Sequence, residues 1–209
     1  MKIAIKLILL TVIVVLAYFL WDSIDKPIRF EKQKDKRYNA TIQKLKDIRT
    51  AELAYLAVHG KFTGDFDTLI NFVKNDSIPL VKAIGSVPDT LTEKKALKLG
   101  IISRDTSYIS TLDSLFSVEY QIDSLSVIPF SKGEKFTLSA TILQIGSKVS
   151  ETKLQVPVFE AKALNRIILK GLDNQLRINL DDEALKMDKY PGLKVGSLTT
   201  NINNAGNWE

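Results

Sequence analysis

The chain has no cysteine and a single histidine in 209 residues. The first absence removes disulfides, thiolate metal sites, cysteine nucleophiles and an acylated lipoprotein cysteine together. The second leaves His59 as the only imidazole, at the end of a helical pattern and with no obvious partners for acid–base chemistry. Gly-x-Ser-x-Gly, a phosphate-binding glycine loop and His-Glu-x-x-His are also missing, and Gly192-Leu193-Lys194-Val195-Gly196-Ser197 has the wrong spacing for a phosphate loop. Asp65 and Asp67 lack the run of alternating oxygen ligands that calcium loops use, so Asp65 reads as a helix N-cap. Asp181, Asp182 and Glu183 form an acidic cluster that reads as a solvated turn or helix start. We therefore expect no enzyme, no catalytic residue, no cofactor, no metal site and no small-molecule substrate.

Excess charge of one sign is scarce where it would matter for nucleic acid. The formal net charge is +5, but residues 22–49 hold nine basic side chains against five acids, and Lys2 and Lys6 add two more positive charges. The remainder, residues 51–209, is close to neutral. A basic segment beside an apolar run is a lipid-headgroup feature, and nucleic-acid binding would need a basic face on the folded domain. No nucleic-acid partner is expected.

What the chain does have is one long hydrophobic run. From Ile3 to Trp21 only Lys6 interrupts it, near one end, where its amine can reach the interface. Leu7, Leu10, Val14 and Leu16 make the body of the anchor, and Tyr18 and Trp21 sit where an aromatic belt belongs. Cleavage as a secretory signal would need small residues one and three positions before the cut, and Ala17-Tyr18-Phe19-Leu20-Trp21-Asp22 offers no such pair. Residues 1–21 are expected to be an uncleaved transmembrane signal anchor. Lys2 and Lys6 favour a cytoplasmic amino terminus, and Asp22 and Asp25 lie beside the exit point. The expected location is the inner (cytoplasmic) membrane, single-pass, with the carboxyl-terminal domain extracytoplasmic and the lipid bilayer as first partner.

Residues 22–59 read as a helical stalk, rich in Lys, Glu, Gln, Ala and Leu and ending at Gly60. Tyr38, Ile42, Leu45, Ile48, Ala51, Tyr55 and Val58 recur at steps of three and four, an apolar stripe that must be covered by the head or by a neighbouring copy. Before Tyr38 the stripe is nearly absent and the helix is expected to be solvated. We take Tyr38, Ile42, Leu45, Ile48 and Tyr55 as an interaction stripe.

Residues 60–209 are the expected head domain, large enough to bury a core. Asp65 precedes a short helix with Phe66, Leu69, Ile70 and Val73; Ile78–Gly85 reads as extended; a brief helix spans Thr92–Leu99. Val118, Tyr120 and Ile122 then alternate with polar residues, as do Phe136, Leu138, Ala140 and Ile142, and Leu154, Val156 and Val158 beyond Gly146. Further on, the pattern predicts a helix over Ala161–Lys170, a strand at Leu176, Ile178 and Leu180, a turn at Pro191-Gly192, and a loop-like tail whose Trp208 docks on the domain. The predicted fold class is α+β: an N-terminal transmembrane helix continuing into a long amphipathic helix packed on an antiparallel β-sheet.

One resemblance follows from that layout. An apolar helix running into an amphipathic one, then Lys46-Asp47-Ile48-Arg49-Thr50-Ala51-Glu52-Leu53-Ala54-Tyr55 and Gly60-Lys61-Phe62-Thr63, resembles type IV pilins and the pseudopilins of type II secretion over the first third of the chain. The family departs from this chain in having a processing glycine and an early glutamate in the apolar helix; here no glycine precedes Gly60 and no acid precedes Asp22. The resemblance implies a structural or assembly component of a cell-envelope machine that self-associates or meets other envelope proteins. The alternative is a membrane-tethered ligand-binding domain that senses a lipid or glycan.

Overall fold

The computed structural model describes residues 2–85, 92–117, 119–145 and 154–209. Helix α1 runs unbroken from Lys2 to His59. Good helix formers carry it through Pro27, whose ring lacks the N–H that would bond the Ser23 carbonyl one turn back. It stops at Gly60, which donates its N–H to the Leu56 carbonyl at 2.8 Å and turns the chain away at φ +71°, a conformation that favours glycine.

Helix α2 (Phe66–Asn75) begins as expected: Asp65 accepts from the Thr68 amide at 2.8 Å and the Thr68 hydroxyl at 2.7 Å. These bonds hold the Asp65 carboxyl below its usual range. The helix buries Phe66, Leu69, Phe72 and Val73. Strand β1 (Ser77–Ile84), the short helix α3 (Glu93–Lys98) and strand β2 (Ser103–Ser110) follow, with β1 and β2 paired antiparallel from Ser77↔Ser110 to Ile84↔Ser103. Helix α4 (Thr111–Leu115) leads back to the core.

A three-stranded antiparallel sheet completes the fold, in the order β3 (Thr137–Ile145), β4 (Leu154–Leu164), β5 (Gly192–Gly196). Between β4 and β5 lie α5 (Asn165–Ile168) and α6 (Asn174–Lys186). The architecture is the predicted α+β class, and the second half of α1 packs on β4, β5 and α2. One core unites them: Phe30, Leu45, Ile48, Ala51 and Tyr55 from α1, Phe72 from α2, Leu138, Phe159, Ala161 and Val195 from the sheet. Stalk and head thus share their packing, and the expected division at 59/60 marks a change in sequence pattern.

Four local expectations are corrected. Residues 119–124 form a turn and a 3-10 turn (Ile122–Ser124) instead of a strand, with Phe116 stacked on Tyr120 at 4.4 Å between ring centroids; Val118 lies outside the described residues, as does Gly146. Ala161–Leu164 belongs to β4, where Ala161 pairs with Val195 and Ala163 with Leu193, so helix starts only at Asn165. Leu176, Ile178 and Leu180 lie in α6, which Asp173 caps by accepting from the Gln175 and Leu176 amides, both at 3.0 Å. Finally, Phe30 is buried in the core, so the helix before Tyr38 is not uniformly solvated.

Candidate functional site

The first feature is the bare part of α1. It is long and apolar enough to cross a membrane, and none of its apolar stretch is buried. Leu7, Leu10, Val14, Leu16, Tyr18 and Trp21 are all exposed, Trp21 at 73%. At about 1.5 Å per residue, Ile3 to Trp21 spans roughly 28 Å, matching a hydrocarbon core of about 30 Å. Seventeen of these nineteen residues are apolar and exposed, and each large apolar side chain gains about 1.5–3 kcal/mol on leaving water.

The interaction stripe is placed differently. Leu45 and Ile48 are 0% exposed and Tyr55 is 7% exposed, all packed in the core, while Tyr38 and Ile42 are half-buried against it. The head of the same chain covers the stripe, so these five side chains hold the protein together internally. Polar contacts fix the register. Arg37 donates to the carbonyls of Ile168 at 3.0 Å and Lys170 at 2.9 Å, and Arg49 donates to the Glu209 carboxylate at 2.7 Å. Lys44 donates to Tyr120 Oη at 3.1 Å and Ser124 Oγ at 2.9 Å, while Tyr120 donates to Asp47 at 2.7 Å. Burial drives the Tyr120 hydroxyl above its ordinary range and the Lys44 ammonium below its own.

A cleft of about 560 Å³ opens where α1, α6, β5 and the carboxyl-terminal tail meet. Ile42, Leu180 and Leu193 line its apolar floor, Tyr190 and Trp208 its aromatic sides, and Lys189 and Lys194 supply cations. One wall is rigid. Tyr38 Oη donates to Asn165 Oδ1 at 2.6 Å, Asn165 Nδ2 donates to Asp181 at 2.8 Å, and Arg177 donates to the other Asp181 oxygen at 2.6 Å. Burial pushes the Tyr38 hydroxyl up to about 12, so it remains a donor through the physiological range. Asp181, expected in a solvated turn or helix start, lies instead within α6 and belongs to this half-buried network. An apolar cleft of this size with convergent polar groups can hold a small ligand. Trp208 docks as expected, its indole lying over Gly206.

The sequence reading did not single out Glu52. It is fully buried on α1; its Oε2 accepts from the Thr63 amide at 3.0 Å, and its Oε1 has no hydrogen-bond partner among the described residues. Burial pushes its carboxyl up to about 8, against the opposing pull of the Thr63 bond. A charged residue on the stripe side of an otherwise apolar helical face was the signal available. His59 ends α1, its ring 4.2 Å from that of Tyr55 and 5.4 Å from that of Phe72. Among the described residues no three His, Asp or Glu side chains converge as a metal site would require. No family model, curated protein or solved structure matches this chain.

Proposed function

We propose that this chain is a single-pass, membrane-anchored, non-catalytic interaction component of a cell-envelope assembly, pilin- or pseudopilin-like in layout, with its head on the extracytoplasmic side of the inner membrane. One observation carries the reading: a single uninterrupted helix is bare over its first third and forms the core of the head over its second half. Such a helix fixes the head rigidly against the bilayer, which suits a scaffold or assembly part. Partners would meet surfaces other than the stripe. The far end of the β3–β4 hairpin exposes Ile142, Ile145 and Leu154, and the β1–β2 ribbon exposes Leu80 and Tyr108.

Because the chain has no native cysteine, the test is direct. Ile142→Cys and Tyr108→Cys variants of the full chain, crosslinked in membranes with a bifunctional maleimide, should yield discrete adducts with another copy or another envelope protein. Monomer alone at both positions would refute the assembly role. A carboxyl-terminal reporter active only in the cytoplasm should be silent. The ligand-binding alternative is favoured by the 560 Å³ cleft, and native mass spectrometry of the purified full chain would reveal a retained small molecule there.

A further inference from the structure

Resting on the membrane-anchored reading, we infer that the junction of α1 and α6 seats the headgroup of a phospholipid ending in a primary amine. A second cleft, of about 400 Å³, lies between Phe19, Asp22, Ser23, Lys26 and Pro27 on α1 and Asp173, Gln175 and Leu176 at the start of α6. Its height above the bilayer follows from helix geometry. If the apolar run ends at Trp21, Lys26 lies about 7–8 Å farther along the axis, within a headgroup layer roughly 5–8 Å thick on each side. Phe19 lies on the hydrocarbon side of that boundary. The head therefore reaches down to the lipid surface at this point, and the cleft opens among headgroups.

The chemistry of the cleft selects among them. Pro27 leaves the Ser23 carbonyl without its usual helical donor. Asp173 uses one oxygen to cap α6, accepting from the Gln175 and Leu176 amides, and its other oxygen accepts no hydrogen bond among the described residues. Asp22 gives one oxygen to Lys26 at 2.6 Å, leaving the second. Two carboxylate oxygens and a carbonyl match the three donors of a primary ammonium. Lys26 supplies the cation for the adjoining phosphate, and Phe19 offers apolar surface to an acyl chain. A choline headgroup has no N–H to donate, and a glycerol headgroup brings net negative charge to two carboxylates.

The test uses the full chain reconstituted in vesicles of equimolar dioleoyl phosphatidylethanolamine, phosphatidylcholine and phosphatidylglycerol, then released into the gas phase for native mass spectrometry of bound lipid. Phosphatidylethanolamine should be retained over phosphatidylcholine by about tenfold, the yield of one or two charge-assisted bonds. Asp22→Asn combined with Asp173→Asn, which keeps an N-capping side chain on α6, should bring the two lipids to parity. Retention that follows bulk composition, a preference for phosphatidylglycerol, or a profile unchanged in the double variant would overturn the inference while leaving the anchored reading intact. Release of the chain from vesicles by alkaline carbonate would overturn both.

Discussion

Replacing Glu52 by Gln should change how the stability of this protein depends on pH. In the folded chain the Glu52 carboxyl is buried, with Oε2 on the Thr63 amide at 3.0 Å and Oε1 unpaired among the described residues, and it keeps its proton up to about pH 8. In the unfolded chain it loses that proton near its ordinary value of 4.5. Between those limits the folded state binds one more proton than the unfolded state, so stability falls as pH rises, by about 1.4 kcal/mol per pH unit. The contribution is fully present below about pH 4.5 and lost by about pH 8, some 5 kcal/mol at most across the window. Glutamine has the shape of the protonated acid, keeps an acceptor for the Thr63 amide and does not ionise. Glu52→Gln should therefore lie near the wild type at pH 5 and exceed it by several kcal/mol at pH 8. Urea unfolding of the full chain in non-ionic micelles, read by pulse proteolysis of the head at unit steps from pH 5 to 8, measures the difference. Other titrating groups shift both proteins alike, so the diagnostic quantity is the gap between the two curves. Parallel curves would show that Glu52 ionises in the fold at ordinary pH, and the account of its burial would be wrong.

Other perturbations have equally definite outcomes. Ile48→Ala leaves a cavity in the α1 face of the core and should cost about 2–5 kcal/mol in the same unfolding assay, without changing membrane extraction. Gly196→Ala should be worse than a propensity change alone: φ is +74° and the added methyl would sit 2.1 Å from the Phe159 carbonyl oxygen, so β5 should lose its amide protection in hydrogen exchange first. Tyr120→Phe removes the donor to Asp47 and the acceptor for Lys44; the loss should be about 1–2 kcal/mol, with Ser124 still holding Lys44.

Much of the fold was legible because period and capping agreed. Asp65 before Phe66, Leu69 and Val73 announced α2, and the alternation of Phe136, Leu138 and Ala140 announced β3. The failures have physical reasons. Leu176 and Leu180 stand four apart, a spacing that both a strand and a helix accept; Ala184 continues it at the helical interval, and the Asp173 cap decides for helix. Ala161 and Ala163 carry a helix preference, but pairing with Val195 and Leu193 prevails, since tertiary contacts override a few tenths of a kcal/mol. Strand β5 was hidden by its glycines: the Cβ of any other residue at 192 or 196 would fall 2.1 Å from a β4 carbonyl, so the residues that read as a turn are those the ladder admits. Strand β2 gave no alternating signal, because its Tyr108 and Ile109 are exposed and, among its described side chains, no covered face imposes a pattern.

The stripe on α1 shows where sequence stops short. Periodicity establishes that Leu45, Ile48 and Tyr55 share a face and must leave water, and that requirement is the same whether the cover comes from the same chain or another. Only the long-range contacts decide, and they place Phe72, Phe159 and Val195 there. The consequence reaches back to function. A helix whose outer half packs its apolar stripe into its own head leaves only Leu53 and Val58 as exposed large apolar side chains above Phe30, so on the proposed reading the bare segment before Phe30 is the larger apolar surface α1 offers a partner helix. On the proposed reading the exposed hairpin and ribbon are the further contact surfaces, at a height above the bilayer that the unbroken helix fixes at about 1.5 Å per residue. Moving the head by inserting residues between Trp21 and Phe30 should thus disrupt adducts through Ile142→Cys while leaving both membrane integration and head stability unchanged.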